Sequence, residues 1–258
     1  MALISFVGAG PGDAELITVK GARLLREAAV VVYAGSLVDR ELVRTHAPGA
    51  RVWDSAGMNL EETTRVLAEA ALAGEKVVRL HTGDPSIYGA IQEQMAELDR
   101  LGIGYEVIPG VTSAFAAAAA LKQELTLPEV TQTVVITRMA GRTPVPEREK
   151  LSEIARIGAT MVIYLSVGMI EEVVAELLAG AYTPATPVAV VAKASWPDEE
   201  LLQGTLADIA AKVKGAGIAK QALIIVGDVL KARQEGLTAV SKLYDKGFTH
   251  GCRDKVTA

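Results

Sequence analysis

Short β-branched runs alternate with stretches of helical period along the first half of the chain, and each run ends on a glycine-bearing turn. The runs lie at residues 2–7, 29–33, 76–80 and 105–108, and helical spacing occupies 16–28, 60–73, 88–101 and 112–121. That alternation predicts βαβ units and a parallel sheet with helices on its faces. Ile91, Met95 and Leu98 recur at i, i+4 and i+7, and Leu60, Leu67 and Ala71 share a face. Gly74 and Gly102 stand where helix C-caps are expected. Residues 122–132 have no clear period and contain Pro128, which marks a linker. Beyond it, strands at 133–137, 161–165, 188–191 and 222–226 alternate with helical segments at 151–157, 170–178 and 206–213. The fold class is therefore α/β. An N-terminal domain is expected at 1–121, a C-terminal domain at 133–230 and a polar tail at 231–258.

Half the residues are hydrophobic but only 4% are aromatic, a balance suited to close-packed helices against a Val/Ile-rich sheet. A net charge of -5 removes any general attraction to nucleic acid or anionic lipid, so an anion site must be local. Cys252 is the only cysteine, which excludes an intrachain disulfide and a cysteine metal site and fits a reducing compartment. Residues 1–7 lack the pattern of a signal peptide. The longest apolar stretches, such as 114–121, fall well short of the roughly 18 residues of a membrane span. A cytoplasmic protein with no nucleic-acid, membrane or metal partner is expected.

Three turns at strand ends could carry chemistry. Gly8-Ala9-Gly10-Pro11-Gly12-Asp13 follows the first strand. A dinucleotide fingerprint would need a third glycine at Asp13, whose carboxylate would repel a pyrophosphate, and Pro11 removes an amide donor. A tight structural turn is the plainer alternative. Thr82-Gly83-Asp84-Pro85-Ser86-Ile87-Tyr88-Gly89 ends the third run, where Asp84 either N-caps a helix with Pro85 in its first turn or faces a ligand amine or hydroxyl. In Pro109-Gly110-Val111-Thr112-Ser113 the hydroxyls either cap the alanine-rich helix or bind a ligand. Three such turns along one sheet edge favour a shared binding site over three unrelated caps. Arg138, Arg142, Arg148 and Lys150 cluster after a later strand, in a loop stiffened by Pro144 and Pro146. They form either a solvated loop or a site for an acidic substrate. His81, beside the second turn, is the one histidine considered for substrate contact or proton handling, with a half-buried inert histidine as the alternative.

Taken in order and spacing, these three motifs, together with Leu16-Ile17-Thr18-Val19-Lys20-Gly21, resemble the tetrapyrrole methylases, or class III methyltransferases, from residue 4 to about 227. The branch that methylates C11 of precorrin-4 or cobalt-precorrin-4 is similar in four further segments. They are Tyr33-Ala34-Gly35-Ser36-Leu37-Val38, the run from Thr137 to Pro144, Ala194-Ser195-Trp196-Pro197-Asp198-Glu199, and the Ser241-Lys242-Leu243-Tyr244-Asp245 tail with Phe248-Thr249-His250. Uroporphyrinogen methyltransferases usually carry an acidic residue where this chain has Ala34. The resemblance implies two αβα domains with a cofactor cleft between them, a homodimer, and S-adenosylmethionine as methyl donor, released as S-adenosylhomocysteine. It places Pro11, Thr82, Gly83, Asp84, Ile87, Thr112, Ser113, Leu165 and Ala194 at the cofactor. Ser36, His81, Arg138 and Arg142 are the candidates for an acidic tetrapyrrole. No side chain is assigned as catalytic acid or base, which fits a reaction that needs mainly two positioned reactants. A dinucleotide-dependent oxidoreductase and a non-catalytic tetrapyrrole carrier are the rival readings.

Overall fold

The computed structural model describes residues 3–35, 37–237, 240–244 and 247–249. The first sheet has five strands: β1 (Ile4–Gly8), β2 (Val30–Tyr33), β3 (Arg51–Asp54), β4 (Val77–His81) and β5 (Tyr105–Ile108). All its pairings are parallel, in the order β3-β2-β4-β1-β5. β1, β2 and β4 are buried along their whole length, as the central strands of a sheet covered on both faces must be.

Alternate side chains feed two cores. Val7, Val31, Tyr33, Val78 and Leu80 pack with Leu25 of α1 (Val19–Glu27) and with Leu42 and Val43 of α2 (Arg40–His46). Ile4, Phe6, Val30, Val32 and Val77 pack on the opposite face with Leu67 and Ala71 of α3 (Leu60–Leu72) and Leu98 of α4 (Ile91–Arg100). α3 opens on a reciprocal cap in which Asn59 Oδ1 accepts from Glu62 N, and a Glu62 carboxylate oxygen from Asn59 N, both at 2.9 Å. Gly74 and Gly102 close α3 and α4 with φ of 82° and 65°. α4 begins at Ile91 rather than at residue 88, because Tyr88 and Ala90 take left-handed backbone with φ of 55° and 48°. α2 and β3 had no counterpart in the sequence reading. β3 is an edge strand exposed at all four residues, so it carries no buried run to betray it.

After α5 (Ser113–Ala120), a second sheet forms in the order β6-β7-β10-β8-β9. Its strands are β6 (Val134–Arg138), β7 (Thr160–Tyr164), β8 (Pro187–Ala192), β9 (Glu200–Thr205) and β10 (Ala222–Val226). Only β6 and β7 run parallel; the other three pairings are antiparallel. β9, absent from the sequence reading, follows β8 with no helix between them, so the two pair as a hairpin. Met161, Ile163, Val188, Val190, Ile224 and Val226 share a core with Leu151 and Ala155 of α6 (Leu151–Ala155), Ile170, Val173 and Leu177 of α7 (Ile170–Leu178), and Ile209 and Val213 of α8 (Ile209–Gly215).

The chain divides into two compact units, residues 1–116 with 193–198, and residues 117–192 with 199–258. The β8–β9 connection therefore groups with the first sheet, although it lies far along the chain. Among the described residues no helix is long and apolar enough to cross a membrane. Ser36, His250 and Cys252 lie outside the described residues.

Candidate functional site

β4, β1 and β5 are neighbours, so the turns at their C-terminal ends lie side by side, at the edge where open α/β sheets take their ligands. The turns are fused rather than merely adjacent. A Cβ on Gly8 would lie 2.6 Å from both Gly110 Cα and Gly83 O, so only bare backbone fits there. Ala9 N donates to His81 O at 2.7 Å, and Gly10 and Gly83 exchange N–H···O bonds of 3.3 and 2.8 Å. Asp84 completes the joint: Oδ1 accepts from Ser86 N and Oδ2 from Gly110 N, each at 2.8 Å. Asp84 thus caps a turn and ties the β4 turn to the β5 turn. It does not N-cap a helix, because residues 85–88 form a turn and α4 starts only at Ile91. A Cβ at Gly83 would sit 3.7 Å from Thr112 Cα and from Ser113 N, so Thr82, Gly83, Asp84, Thr112 and Ser113 form one cluster. Thr112 is buried, while Thr82, Ile87 and Ser113 are partly exposed.

The segment 193–198 closes on this cluster. Trp196 Nε1 donates to Pro11 O at 2.9 Å, and Ser195 Oγ accepts from Asp13 N at 3.0 Å. A Cβ on Gly12 would overlap the Trp196 ring. Ala194, buried, sits between Lys193 and Ser195, both in left-handed backbone with φ of 49° and 68°. Such strain persists only where the surroundings impose it, and it gathers at functional sites. Pro11, buried beneath Trp196, thereby joins Ala194 and the 82–84 and 112–113 residues in the first unit. Trp196 and Gly12 were not candidate site residues; the signal was a tryptophan in a chain with two.

The arrangement answers the dinucleotide question. In the glycine loop the amides of Ala9, Gly10 and Asp13 are already bonded within the fold, and Pro11 has none. The next α-helix starts only at Val19, behind the Thr18 cap, and not directly after the glycine loop as a dinucleotide fingerprint requires. The turns at 8–13, 82–87 and 109–113 contain Asp13 and Asp84 but no lysine or arginine. Small residues, backbone and carboxylates suit a ligand with a cationic centre and ill suit a pyrophosphate. S-adenosylmethionine, with its sulfonium and amino groups, fits that donor set.

His81 departs from its expected role. It is 4% exposed, stacks on Phe6 with ring centroids 5.9 Å apart, and its Nε2 has no hydrogen-bond partner. Burial first, and the charge of Arg79 second, push its pKa down to about 3. At neutral pH it is an uncharged core residue.

The remaining candidates lie in the second unit. Arg138 turns its fork onto its own loop: Nη1 donates to Met139 O and Thr143 O at 3.3 and 3.1 Å, and Nη2 to Pro144 O at 2.7 Å. Its guanidinium braces the loop, on which Arg142 is exposed, while Arg148 and Lys150 pair with Glu149 and Glu147. Leu165, at the end of β7, is 66% exposed in left-handed backbone with φ of 55°, and Ser166 beside it accepts from Met139 N at 2.9 Å. Two open hollows lie away from the fused turns. One of about 560 Å³ is bounded by Pro187, Gln203 and Leu230, and one of about 690 Å³ by Arg51, Trp53 and Arg65. Chemistry is assigned by the residue cluster, not by these volumes.

Comparison with known proteins places residues 3–210 in the tetrapyrrole (corrin/porphyrin) methylases. A cobalt-precorrin-4 C(11)-methyltransferase of Methanocaldococcus jannaschii is 58% identical over 97% of this chain and 95% of its own. The X-ray structure of a cobalamin biosynthetic enzyme, cobalt precorrin-4 methyltransferase, is 49% identical and superposes with a TM-score of 0.86 over 88% of this chain and 95% of that one. A uroporphyrin-III C-methyltransferase from Thermus thermophilus, complexed with S-adenosylhomocysteine, is 33% identical with a TM-score of 0.75, covering 90% of this chain and 100% of that one.

Two outcomes follow from the geometry. Because the folded state holds His81 neutral down to about pH 3 while the unfolded chain protonates near 6.5, its contribution is fully present above pH 6.5. It is lost as pH falls, by about 1.4 kcal/mol per unit. His81→Leu should reduce the pH slope of stability by that amount, measured by urea unfolding at pH 5 and 7; an unchanged slope contradicts the burial argument. Gly12→Ala should push the indole off Pro11, at a cost of about 1 to 3 kcal/mol. In a Trp53→Phe background the Trp196 emission should shift to the red, and parent-like emission and melting temperature would show that the loop yields instead.

Proposed function

The chain belongs to the tetrapyrrole methylase family, and from that premise we infer that it transfers the methyl group of S-adenosylmethionine to C11 of precorrin-4 or cobalt-precorrin-4, a step of cobalamin biosynthesis. The observation that carries this reading is the near-full-length likeness to a C11-methylating relative. The locking of Trp196, from one of the segments particular to that branch, onto the glycine loop supports it.

When bound, S-adenosylmethionine supplies a methyl group already activated on a sulfonium. The protein's part is to hold two reactants in line and to keep water out. Pro11, Thr82, Gly83, Asp84, Ile87, Thr112, Ser113 and Ala194 are the proposed cofactor residues of the first unit, with Leu165 as the exposed candidate of the second. Asp84 contributes mainly by fixing backbone, since each of its oxygens already accepts an amide. Arg142, carried on the loop that Arg138 braces, is the proposed partner of a macrocycle carboxylate, because an acidic protein needs local cations to receive an acidic substrate. Ser36 is a further proposed substrate residue. A homodimer rests on the same resemblance, and sedimentation tests it; a cytoplasmic location is proposed with it on the composition and the single cysteine.

Incubation with methyl-labelled S-adenosylmethionine and each acceptor should label C11 of precorrin-4 or its cobalt form, located by NMR of the product. Transfer to uroporphyrinogen alone would move the protein to another branch. No transfer to any acceptor, with no calorimetric binding of S-adenosylhomocysteine, would remove the methyltransferase reading. Arg142→Ala should raise the KM for the macrocycle roughly two- to fivefold, since an exposed ion pair contributes little. Added salt should shrink the difference, and an unchanged KM at low salt would discharge Arg142 from substrate binding.

A further inference from the structure

Among the described residues, the buried cation Arg79 pairs with no carboxylate. It lies in β4 on the same face as Phe6 and His81, is 7% exposed, and the only force acting on its pKa, burial, brings it down to about 10, so it stays charged at neutral pH. Its donors go instead to neutral acceptors at three places. Nε donates to Gln94 Oε1 at 2.9 Å, and Nη1 donates to Val32 O at 3.3 Å and to Ser55 Oγ at 3.0 Å. Each acceptor leads to a loop. Ser55, which follows β3, donates on to Tyr33 O at 3.0 Å, where the loop after β2 begins. Buried Gln94 donates to Ala90 O at 2.9 Å and so fixes the left-handed residue that ends the loop after β4. The neighbouring Asp54 carboxylate accepts from Gly35 N at 3.0 Å and Ala56 N at 2.9 Å, and ties the same two loops a second time.

The strand order gives this network its meaning. The glycine joint occupies the turns of β4, β1 and β5, whereas Arg79 gathers the loops of β3, β2 and β4. The β4 loop is shared, with Asp84 anchoring its start and Gln94 its end. One half of the sheet's rim is therefore committed to the proposed cofactor residues, and the other half is organised around a fixed positive charge. That half is the part of the rim left for the second reactant, the macrocycle. Breaking any one of these bonds would leave a buried charge short of an acceptor, so the loops are held in one arrangement.

Resting on the function proposed above, we propose that Arg79 is a positioning residue for the methyl acceptor: its buried guanidinium fastens the loops after β2, β3 and β4 into one rim. Arg79→Lys keeps the charge but cannot reproduce the fork. It should raise the KM for precorrin-4, or for the cobalt form if the parent prefers it, by about tenfold, the low end of the loss expected for one charge-assisted bond. The kcat should fall less, and the calorimetric Kd of S-adenosylhomocysteine should stay within about twofold, well under one such bond. Ser55→Ala, which leaves the guanidinium in place and cuts two of the loop bonds, should move KM the same way by a smaller factor, and it decides the matter if the lysine variant does not fold. Hydrogen exchange should quicken together in peptides covering residues 33–37, 55–58 and 86–92 of either variant. A parent-like KM with only a lowered melting temperature overturns the proposal, as does a cofactor affinity that falls in step with KM. Absence of turnover by the parent itself would instead overturn the functional reading, and this inference with it.

Discussion

The backbone contact among Gly8, Gly83 and Gly110 is what the first unit is arranged around. Parallel strands deliver all their C-terminal ends to one edge, so the turns of three adjacent strands must share the space above it. A side chain at Gly8 or Gly110 would hold those turns apart. With none present, the turns touch and Asp84 fastens two of them through both carboxylate oxygens. The contact also determines what the edge offers a ligand. The amides of Ala9, Gly10 and Asp13 are consumed within the fold, and the turns carry small residues and the negative charge of Asp13 and Asp84.

Two further features shape that edge and the loops beside it. The connection 193–198 brings Trp196 and Ser195 onto the glycine loop, so that the shape of the loop depends on residues encoded far down the chain. Beneath the neighbouring loops, Arg79 keeps its charge by spending its donors on carbonyl, amide and hydroxyl oxygens. That charge helps hold His81 neutral on the same face of β4. One cation and one uncharged imidazole thus sit in a core otherwise formed by Phe6, Val32 and Leu98.

Much of the fold was legible because its central strands are buried on both faces. A strand buried on both faces is written as a mainly apolar run, as at Val30, Val31 and Val32, and runs of that kind separated by helical periods have few other solutions. Edge strands carry no such obligation, which is why Arg51–Asp54 and Glu200–Thr205 left no signal. The three ligand-edge turns were legible for a related reason: glycine where strands end is a local requirement of backbone geometry. The role of Asp84 was not, since its second acceptor bond reaches Gly110, on a strand two places away in the sheet. His81 and Arg138 show the same limit. Each looked available for substrate in the sequence, but folding buries His81 against Phe6 and turns Arg138 onto the carbonyls of its own loop.

The sequence by itself determined the α/β class, the parallel first sheet, the positions of the glycine turns and, through the order of its motifs, the family and its methyl-transfer chemistry. These are local patterns or successions of patterns, and a linear text records them completely. Tertiary structure alone decided that the second sheet is mixed, that 193–198 joins the first unit, that Trp196 rather than a side chain at Gly12 fills the space beside Pro11, and that Arg79 binds three loops. All of these are contacts between residues remote in the chain, set by which surfaces meet when the core excludes water, and no spacing along the sequence encodes such a meeting.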